Sequence, residues 1–290
     1  MTTVSSLARI IGLLALLAVL AACSAIKLGY NNLDSVTYWW LDSYLDLTDE
    51  QTPGVRDDLA RLHAWHRTEE LPRLGALLRD IEGIAPGEIT STQVCAFVPQ
   101  LRERLNAVGR NAEPAVVTVA LTLASDQLSH LERKYDKNNE QFRKDWLRLA
   151  PADLSEKRFK QMLERMEMIY GTLDDAQRTE LRRQLDRSIF DPRRVLAERQ
   201  RRQQDALQIL RKLAGQPVAL GDARNLLRGY FERLQASPDA NYRKYEQDVI
   251  AETCGVISFI HNATSPAQRE AAVRRMRAYQ RDLRELSSPT

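Results

Sequence analysis

Apolar residues recur at intervals of three and four along most of the chain, whereas runs that alternate apolar with polar residues are nearly absent. Leu59, Leu62 and Trp65 form one such stripe, and Leu181 and Leu185 belong to another. This interval is the period of an α-helix that buries one face. The sequence therefore predicts an all-α fold.

Helix starts are marked by capping boxes, in which a Ser, Thr or Asp stands three residues before a Gln or Glu. Thr48 with Gln51 is one such pair. Similar helix starts are predicted at Thr90, Ser155, Asp174 and Ser265. With the breaks at Pro and Gly, these starts predict helices over residues 31–46, 50–81 (bent at Pro72), 92–108, 113–149, 155–170, 175–188, 192–213, 222–235, 239–261 and 266–286.

Residues 1–22 have the composition of a secretory signal peptide. Arg9 gives a positive start, and Ile10–Leu20 is an apolar core that is too short to span a bilayer comfortably. The rest of the chain is long enough for one large or two modest domains. We expect two helical halves, residues 31–150 and 151–290, that fold as one cooperative unit.

Cys23 ends the segment Leu20–Cys23, which resembles the lipobox of bacterial lipoproteins. The resemblance implies cleavage before Cys23 and a covalent lipid on its thiol, followed by an anchor linker over residues 23–30. Ser24 resembles the outer-membrane sorting pattern of enterobacterial lipoproteins. These resemblances imply a protein that is held by lipid to the outer membrane and faces the periplasm, with no cofactor besides that lipid.

Lipidation of Cys23 would leave Cys95 and Cys254 as the remaining cysteines. In an oxidising periplasm such a pair favours a disulfide, and two buried free thiols are the alternative. Neither cysteine has the spacing of a zinc site or of a thioredoxin-type redox site. The pair predicts a bridge between the front half of the chain and its C-terminal helices.

Charge is nearly balanced over the whole chain, with 42 Lys and Arg against 39 Asp and Glu. This excess is too small for a nucleic-acid binder, so no nucleic-acid partner is expected. The segment Arg182–Lys212 is locally basic and is interpreted as a solvated helix face; the alternative is a binding face for anionic lipid or an acidic partner. The candidate residues of that face are Arg182, Arg183, Arg193, Arg194, Arg201 and Arg202.

His63, His66 and Glu70 fall on one face of a predicted helix. Two imidazoles and a carboxylate are ligands that a divalent metal accepts, which makes these residues a weak metal candidate. No second cluster of His or Cys completes the site, so an ordinary polar helix face is favoured. The chain also lacks a Gly-rich phosphate loop and a Gly-x-Ser-x-Gly elbow, and we predict no enzyme activity.

The densest aromatic segment is Tyr38–Leu41. Tyr38 and Trp39 lie off the apolar stripe of their helix and close to the anchor, so a membrane-proximal or partner-binding role is the alternative to core packing. The stripe itself is expected in the core and comprises Leu33, Val36, Trp40, Tyr44 and Leu47.

Three segments together, Ala22–Ser24, Leu28–Leu33 and Tyr38–Asp42, resemble a family of uncharacterised proteobacterial lipoproteins. The resemblance extends through much of the chain after the signal peptide. It implies a lipoprotein and supplies no activity.

Leu47–Gln51 resembles the Leu-Thr-x-x-Gln motif of small helical periplasmic stress proteins and chaperones. Leu173–Arg178 and Ser265–Arg269 resemble degraded copies, with Asp174 in place of Thr in the first and no Leu in the second. In those chaperones the motif opens helices of a curved, cradle-like dimer. A capping box alone produces the same residue pattern, which is the alternative explanation.

We therefore expect a lipid-anchored protein with a non-catalytic binding or envelope-maintenance role. That role would be chaperone-like and would hold a protein client or envelope partner in a helical groove or on the basic face. One rival is a cell-envelope enzyme that acts on peptidoglycan or lipid, with His63, His66 and Glu70 at its centre. Another is a structural subunit that docks a membrane partner through Tyr38–Trp40.

Overall fold

The computed structural model describes residues 27–215 and 217–288. The predicted signal peptide and the anchor Cys23 lie outside the described residues. The described residues form helices and no strand, so the predicted all-α fold is confirmed. After a helical turn over residues 27–31, the α-helices are α1 (Leu33–Leu45), α2 (Gln51–Trp65), α3 (Leu71–Ile84), α4 (Ser91–Cys95), α5 (Phe97–Thr122), α6 (Ser125–Phe142), α7 (Pro151–Tyr170), α8 (Asp175–Asp186), α9 (Pro192–Ala214), α10 (Leu220–Gln235), α11 (Ala240–Asn262) and α12 (Pro266–Ser287).

Predicted capping boxes open α4, α8 and α12. At the start of α8, the Asp174 carboxylate accepts a hydrogen bond from the Gln177 N–H (2.8 Å), and the Gln177 side-chain oxygen accepts from the Asp174 N–H (3.0 Å). The predicted start at Ser155 is wrong, because α7 begins at Pro151. Proline suits the first turn of a helix, where its missing N–H costs nothing.

The predicted long helix with a bend at Pro72 is instead two helices, α2 and α3, joined by the π-helical turn His66–Glu70. Pro72 has no N–H to donate to the carbonyl of Thr68, four residues earlier. The preceding turn contains one extra residue, and the Leu71 N–H donates to the His66 carbonyl five residues back. The interruption therefore lies where the sequence predicts it, but it is a π-helical turn between two helices and not a bend within one helix.

The predicted break between residues 108 and 113 is wrong, because α5 continues through Pro114. Pro114 and Arg110 are both exposed, so water can satisfy the Arg110 carbonyl that loses its helical donor. The chain instead breaks at Leu123 and Ala124, which have extended backbones. This break falls inside the long helix predicted over residues 113–149.

Two clusters of buried apolar side chains form the core. One lies between α7, α8, α11 and α12 and includes Leu173, Leu181 and Ile260. The other joins α5 to α9 and α10 and includes Val117 and Ala223. Because α9 and α10 pack against α5, helices that follow residue 150 are interleaved with helices that precede it.

Further contacts tie the two ends of the chain together. Glu82 on α3 accepts hydrogen bonds from Arg277 (2.6 Å) and Gln280 (2.7 Å) on α12. The Sγ atoms of Cys95 on α4 and Cys254 on α11 are 2.09 Å apart, at disulfide distance. This bridge joins the front half of the chain to a C-terminal helix, as the cysteine count predicts.

Candidate functional site

An apolar cavity of about 870 Å³ lies between α1, α2, α5, α6, α9 and α10. Small-ligand sites typically occupy about 300–1,000 Å³. The wall is mainly aliphatic and aromatic, with Val116, Val119, Leu227 and Phe231 among its residues. Trp40 also lines the cavity and is 57 % exposed, so the cavity opens to solvent at this residue.

The cavity exists because α5 presents short side chains to the helices that face it. Ala112, Ala115 and Val119 follow one another at helical intervals along the lining face. Short side chains leave volume unfilled unless the facing helices move closer. α10 contacts α5 through the buried residues Val117 and Ala223 and through the ion pair between Arg228 and Glu113 (3.1 Å).

Two glutamine side chains lie beside Leu45, which lines one end of the cavity. Gln127 Nε2 donates to Gln51 Oε1 (2.8 Å), and Gln51 Nε2 lies 3.3 Å from Gln127 Oε1. Gln51 also donates to the Thr122 carbonyl (3.0 Å), and Gln127 donates to the Asp46 carbonyl (2.9 Å). The starts of α2 and α6 and the ends of α1 and α5 are thereby joined in one network.

A second glutamine pair repeats this geometry elsewhere in the fold. Gln177 Nε2 donates to Gln268 Oε1 (2.8 Å), and Gln268 Nε2 lies 3.0 Å from Gln177 Oε1. Gln177 also donates to the Ala263 carbonyl (2.9 Å), and Gln268 donates to the Thr172 carbonyl (3.0 Å). The segments that resemble the Leu-Thr-x-x-Gln motif therefore supply three of the four paired glutamines: Gln51, Gln177 and Gln268.

Several polar side chains that line the cavity, among them Arg199, Gln203, Tyr135 and Tyr230, have donors with no acceptor among the described residues. Arg199 and Gln203 lie one turn apart on α9, Tyr135 lies on α6 and Tyr230 lies on α10. The Gln203 side-chain oxygen accepts a hydrogen bond from Asn139 Nδ2 (2.7 Å), which fixes the orientation of its amide group. The wall thus offers a guanidinium, an amide N–H and two hydroxyls to a bound molecule.

Burial keeps the two hydroxyls protonated. It raises the pKa of Tyr135 to about 12 and is also the main reason why the pKa of Tyr230 is raised. Asp58 and Arg61 also line the cavity, but they form an ion pair with each other. Arg199 is therefore the lining charge that lacks a partner among the described residues.

The structure reverses part of the prediction for the aromatic segment. Tyr38 is only 6 % exposed; its hydroxyl lies 3.0 Å from Thr52 Oγ1, and the Arg56 guanidinium carbon lies 3.7 Å from its ring centroid. The stripe predicted for the core is turned outward at its first three positions, because α1 packs on α2 through the opposite side, which carries Tyr38; the later stripe residue Tyr44 contacts α6. The resulting exposed surface, the α1 face, consists of Leu33, Val36, Trp39 and Trp40.

The weak metal candidate formed by His63, His66 and Glu70 is not assembled. Glu70 is fully buried and accepts hydrogen bonds from Arg73 (2.7 Å) and Arg104 (3.2 Å), so its carboxylate is already engaged. No group of three or more His, Cys, Asp or Glu within residues 27–215 and 217–288 is arranged to hold a metal ion.

The two histidines pack against the N-terminal helical turn. His66 Nδ1 forms a hydrogen bond with the Tyr30 hydroxyl (2.9 Å), and His63 Nδ1 lies 3.9 Å from Asp34 Oδ1. Burial lowers the pKa of both imidazoles, so they are neutral near pH 7. Their role in the fold is to pack the start of the described chain onto α2.

The arginines of the predicted basic face are mostly compensated within the fold. Arg201 and Arg202 both pair with the buried Glu198 (2.8 and 2.7 Å), and the Arg194 guanidinium carbon lies 5.0 Å from the ring centroid of Tyr245. The remaining pairs are Arg182 with Glu156, Arg183 with Glu180 and Arg193 with Asp191. This arrangement favours a solvated, ion-paired surface over a binding face.

These features define an all-α protein with a solvent-connected apolar cavity between six helices. The chain belongs to a family of unknown function, DUF6279, which it matches over residues 43–222. That range contains the parts of α2, α5, α6 and α9 that line the cavity. No curated protein and no solved structure matches the chain. In the described part of the chain, no helix is both long and apolar enough to span a bilayer.

Proposed function

We propose that the protein is a non-catalytic binding protein of the cell envelope whose cavity holds an apolar ligand. The cavity of about 870 Å³ carries this proposal. Empty apolar space costs stability because the side chains around it lose packing contacts, and an apolar ligand restores those contacts. The glutamine network at one end supports the proposal, because it holds four helix ends in place around the space.

A lipid on Cys23 and an outer-membrane location facing the periplasm are part of the same proposal. Cys23 precedes the first described residue by only four positions. The α1 face follows shortly afterwards and exposes two tryptophans, Trp39 (63 % exposed) and Trp40 (57 % exposed). Tryptophan is enriched where proteins meet lipid headgroups. A lipid on Cys23 would therefore bring the α1 face close to the membrane that holds it.

Filling the cavity should abolish binding of an apolar probe. In the double variant Ala115→Trp/Val119→Trp, both indoles would project from α5 into the cavity. We expect the affinity for N-phenyl-1-naphthylamine, an uncharged fluorophore that brightens in apolar sites, to fall by at least about tenfold. Fluorescence titration of the soluble form, residues 24–290, measures this change.

The matched control is Ala251→Trp, which adds an indole at an exposed position of α11 outside the cavity. This variant should bind the fluorophore as the wild type does. Circular dichroism would establish that all three proteins are folded. Equal binding by the wild type and the double variant, or no binding by the wild type, would overturn the proposed function.

Replacement of Cys23 should release the protein from the membrane. We expect wild-type protein to sediment with the envelope and to yield an N-terminal peptide that begins at a lipid-modified Cys23. The Cys23→Ser variant should lose that modification and move to the soluble fraction or remain unprocessed. An unmodified Cys23 in wild-type protein, measured by mass spectrometry, would contradict lipidation without affecting the cavity.

A further inference from the structure

We propose that the cavity binds a single-chain fatty acid, with its carboxylate on Arg199 and its alkyl chain along α9 towards Leu210. This inference rests on the proposed function, because it names the ligand class of the same cavity. It is carried by the unpaired donors of the wall and by the length of the apolar surface beyond them.

Arg199 is a half-buried cation on the cavity wall, without an ion pair among the described residues. The acids nearest to it on α9 are engaged elsewhere: Glu198 pairs with Arg201 (2.8 Å), and Asp205 pairs with Arg233 (2.8 Å). A cation that is partly withdrawn from water is unfavourable unless an anion compensates it. The free partner of Arg199 is therefore expected to be an anionic ligand.

A second unpaired donor beside Arg199 favours an anion with several acceptor sites. Gln203 lies one helical turn from Arg199, whereas Tyr135 and Tyr230 line the wall further along α9. A carboxylate has two oxygens with about four lone-pair sites, and the planar guanidinium of arginine matches both oxygens at once. One carboxylate thus satisfies Arg199 while leaving lone pairs for neighbouring donors.

The apolar surface continues from Arg199 along α9 towards Leu210. α6 and α9 run antiparallel, since Asn139 contacts Gln203 and Glu132 pairs with Arg211 (2.6 Å). The start of α6, which carries Gln127 of the glutamine pair, is therefore near the Leu210 end of the wall. An alkyl chain on Arg199 would run from the polar end towards this pair.

Length and volume set the size of the ligand. A helical rise of about 1.5 Å per residue places Leu210 about 16 Å from Arg199 along α9. A fully extended chain of roughly 13 carbons covers that length, because the tetrahedral zigzag reduces each carbon–carbon bond of about 1.5 Å to an advance of about 1.3 Å along the chain. The cavity of about 870 Å³ lies in the range of small-ligand sites, which favours one chain over the two chains of a phospholipid.

The test is displacement of N-phenyl-1-naphthylamine by tetradecanoate and by its uncharged analogue tetradecan-1-ol. The Arg199→Gln variant should bind tetradecanoate about tenfold more weakly than the wild type, because a charge-assisted bond is lost. Its affinity for the alcohol should stay within about twofold of the wild-type value, and Arg199→Lys should retain most of the affinity for the acid.

The matched control is Arg194→Gln. Arg194 lies on the same helix as Arg199 but outside the cavity. Its guanidinium lies over the ring of Tyr245, as that of Arg199 lies over the ring of Phe142. This variant should leave both affinities unchanged. Shortening the acid from tetradecanoate to octanoate should weaken binding about fourfold per methylene removed, the change expected from about 0.8 kcal/mol per buried CH₂.

The outcomes separate this inference from the proposed function. If the fluorophore binds in the cavity but the Arg199→Gln variant does not discriminate acid from alcohol, the fatty-acid inference fails and the cavity proposal stands. If the fluorophore does not bind, both fail. Displacement by an amphipathic helical peptide and not by tetradecanoate overturns the inference in favour of a protein client.

Discussion

Removal of the Cys95–Cys254 disulfide should lower the free energy of unfolding by about 4–5 kcal/mol, because the bridge restricts a long loop of the unfolded chain. The two cysteines are separated by 159 residues in sequence. The entropy that a disulfide removes from the unfolded chain increases with the length of the loop it closes. The stabilisation by this bridge is therefore close to the largest that one disulfide gives.

The folded state should survive this change, because other contacts hold the same region. Asn262 on α11 donates to the Ile89 carbonyl (2.9 Å) and accepts from the Ile89 N–H (2.9 Å) just before α4. His261 Nε2 donates to the Gly87 carbonyl (2.8 Å) beside them. Reduced protein should therefore keep its helical circular dichroism in the absence of denaturant.

Urea titration of the soluble form and of Cys95→Ala/Cys254→Ala measures the effect. A reducing agent should destabilise the wild type by a similar amount and leave the double variant unchanged, which is the internal control. A loss below about 1 kcal/mol would show that the bridge does not constrain the unfolded chain as the loop length requires.

Replacement of Glu70, a buried carboxylate, should have the second large effect on the free energy of unfolding. Glu70→Ala should lower the free energy of unfolding by about 3 kcal/mol, the lower end of the range for breaking a buried ion pair. The carboxylate is fully buried and receives hydrogen bonds from Arg73 and Arg104. Because the Arg73 side chain is 50 % exposed, it can rehydrate, which limits the loss.

The adjacent residue offers a matched control. Glu69 pairs with the same Arg73 (3.2 Å), but its side chain is 51 % exposed. Glu69→Ala should change stability by less than about 1 kcal/mol, as is usual for surface pairs. Equal effects of the two variants in urea titration would show that Glu70 is not the buried centre of an ion-pair network.

The helical fold follows from the sequence because its signals are local. The glutamine of each capping box and the prolines of the first turns act within a few residues, so the starts of α8, α9 and α12 are predicted to within one residue. The break before α6 is less visible. Ala124 stands at its cap without a side-chain oxygen, so the Gln127 side-chain oxygen accepts from the Ala124 N–H (2.9 Å) with no reciprocal bond from residue 124 to the Gln127 N–H.

The orientation of α1 could not be predicted in the same way. Its apolar residues cover more than one helical face, so periodicity alone does not decide which face is buried. The polar contacts of Tyr38 with Thr52 and Arg56 draw the opposite side inward and leave Trp39 and Trp40 exposed. These contacts depend on α2, which the pattern of α1 does not contain.

The cavity could not be predicted from the sequence either. Its polar residues are far apart in the chain, on α6, α9 and α10, and each looks like an ordinary helix residue in its own segment. Arg199 lies inside the basic stretch, where it is one arginine among ten Lys and Arg residues. Only the tertiary fold shows that its neighbours are paired with acids while Arg199 faces an apolar wall.

The most direct measurement is a crystal structure of the oxidised protein grown with tetradecanoate. We expect electron density for one alkyl chain between α5, α9 and α10, with the carboxylate within about 3.2 Å of the Arg199 guanidinium. Density confined to the outer surface, such as the α1 face, would contradict a binding role for the cavity. So would a cavity that stays empty when the ligand is in large excess.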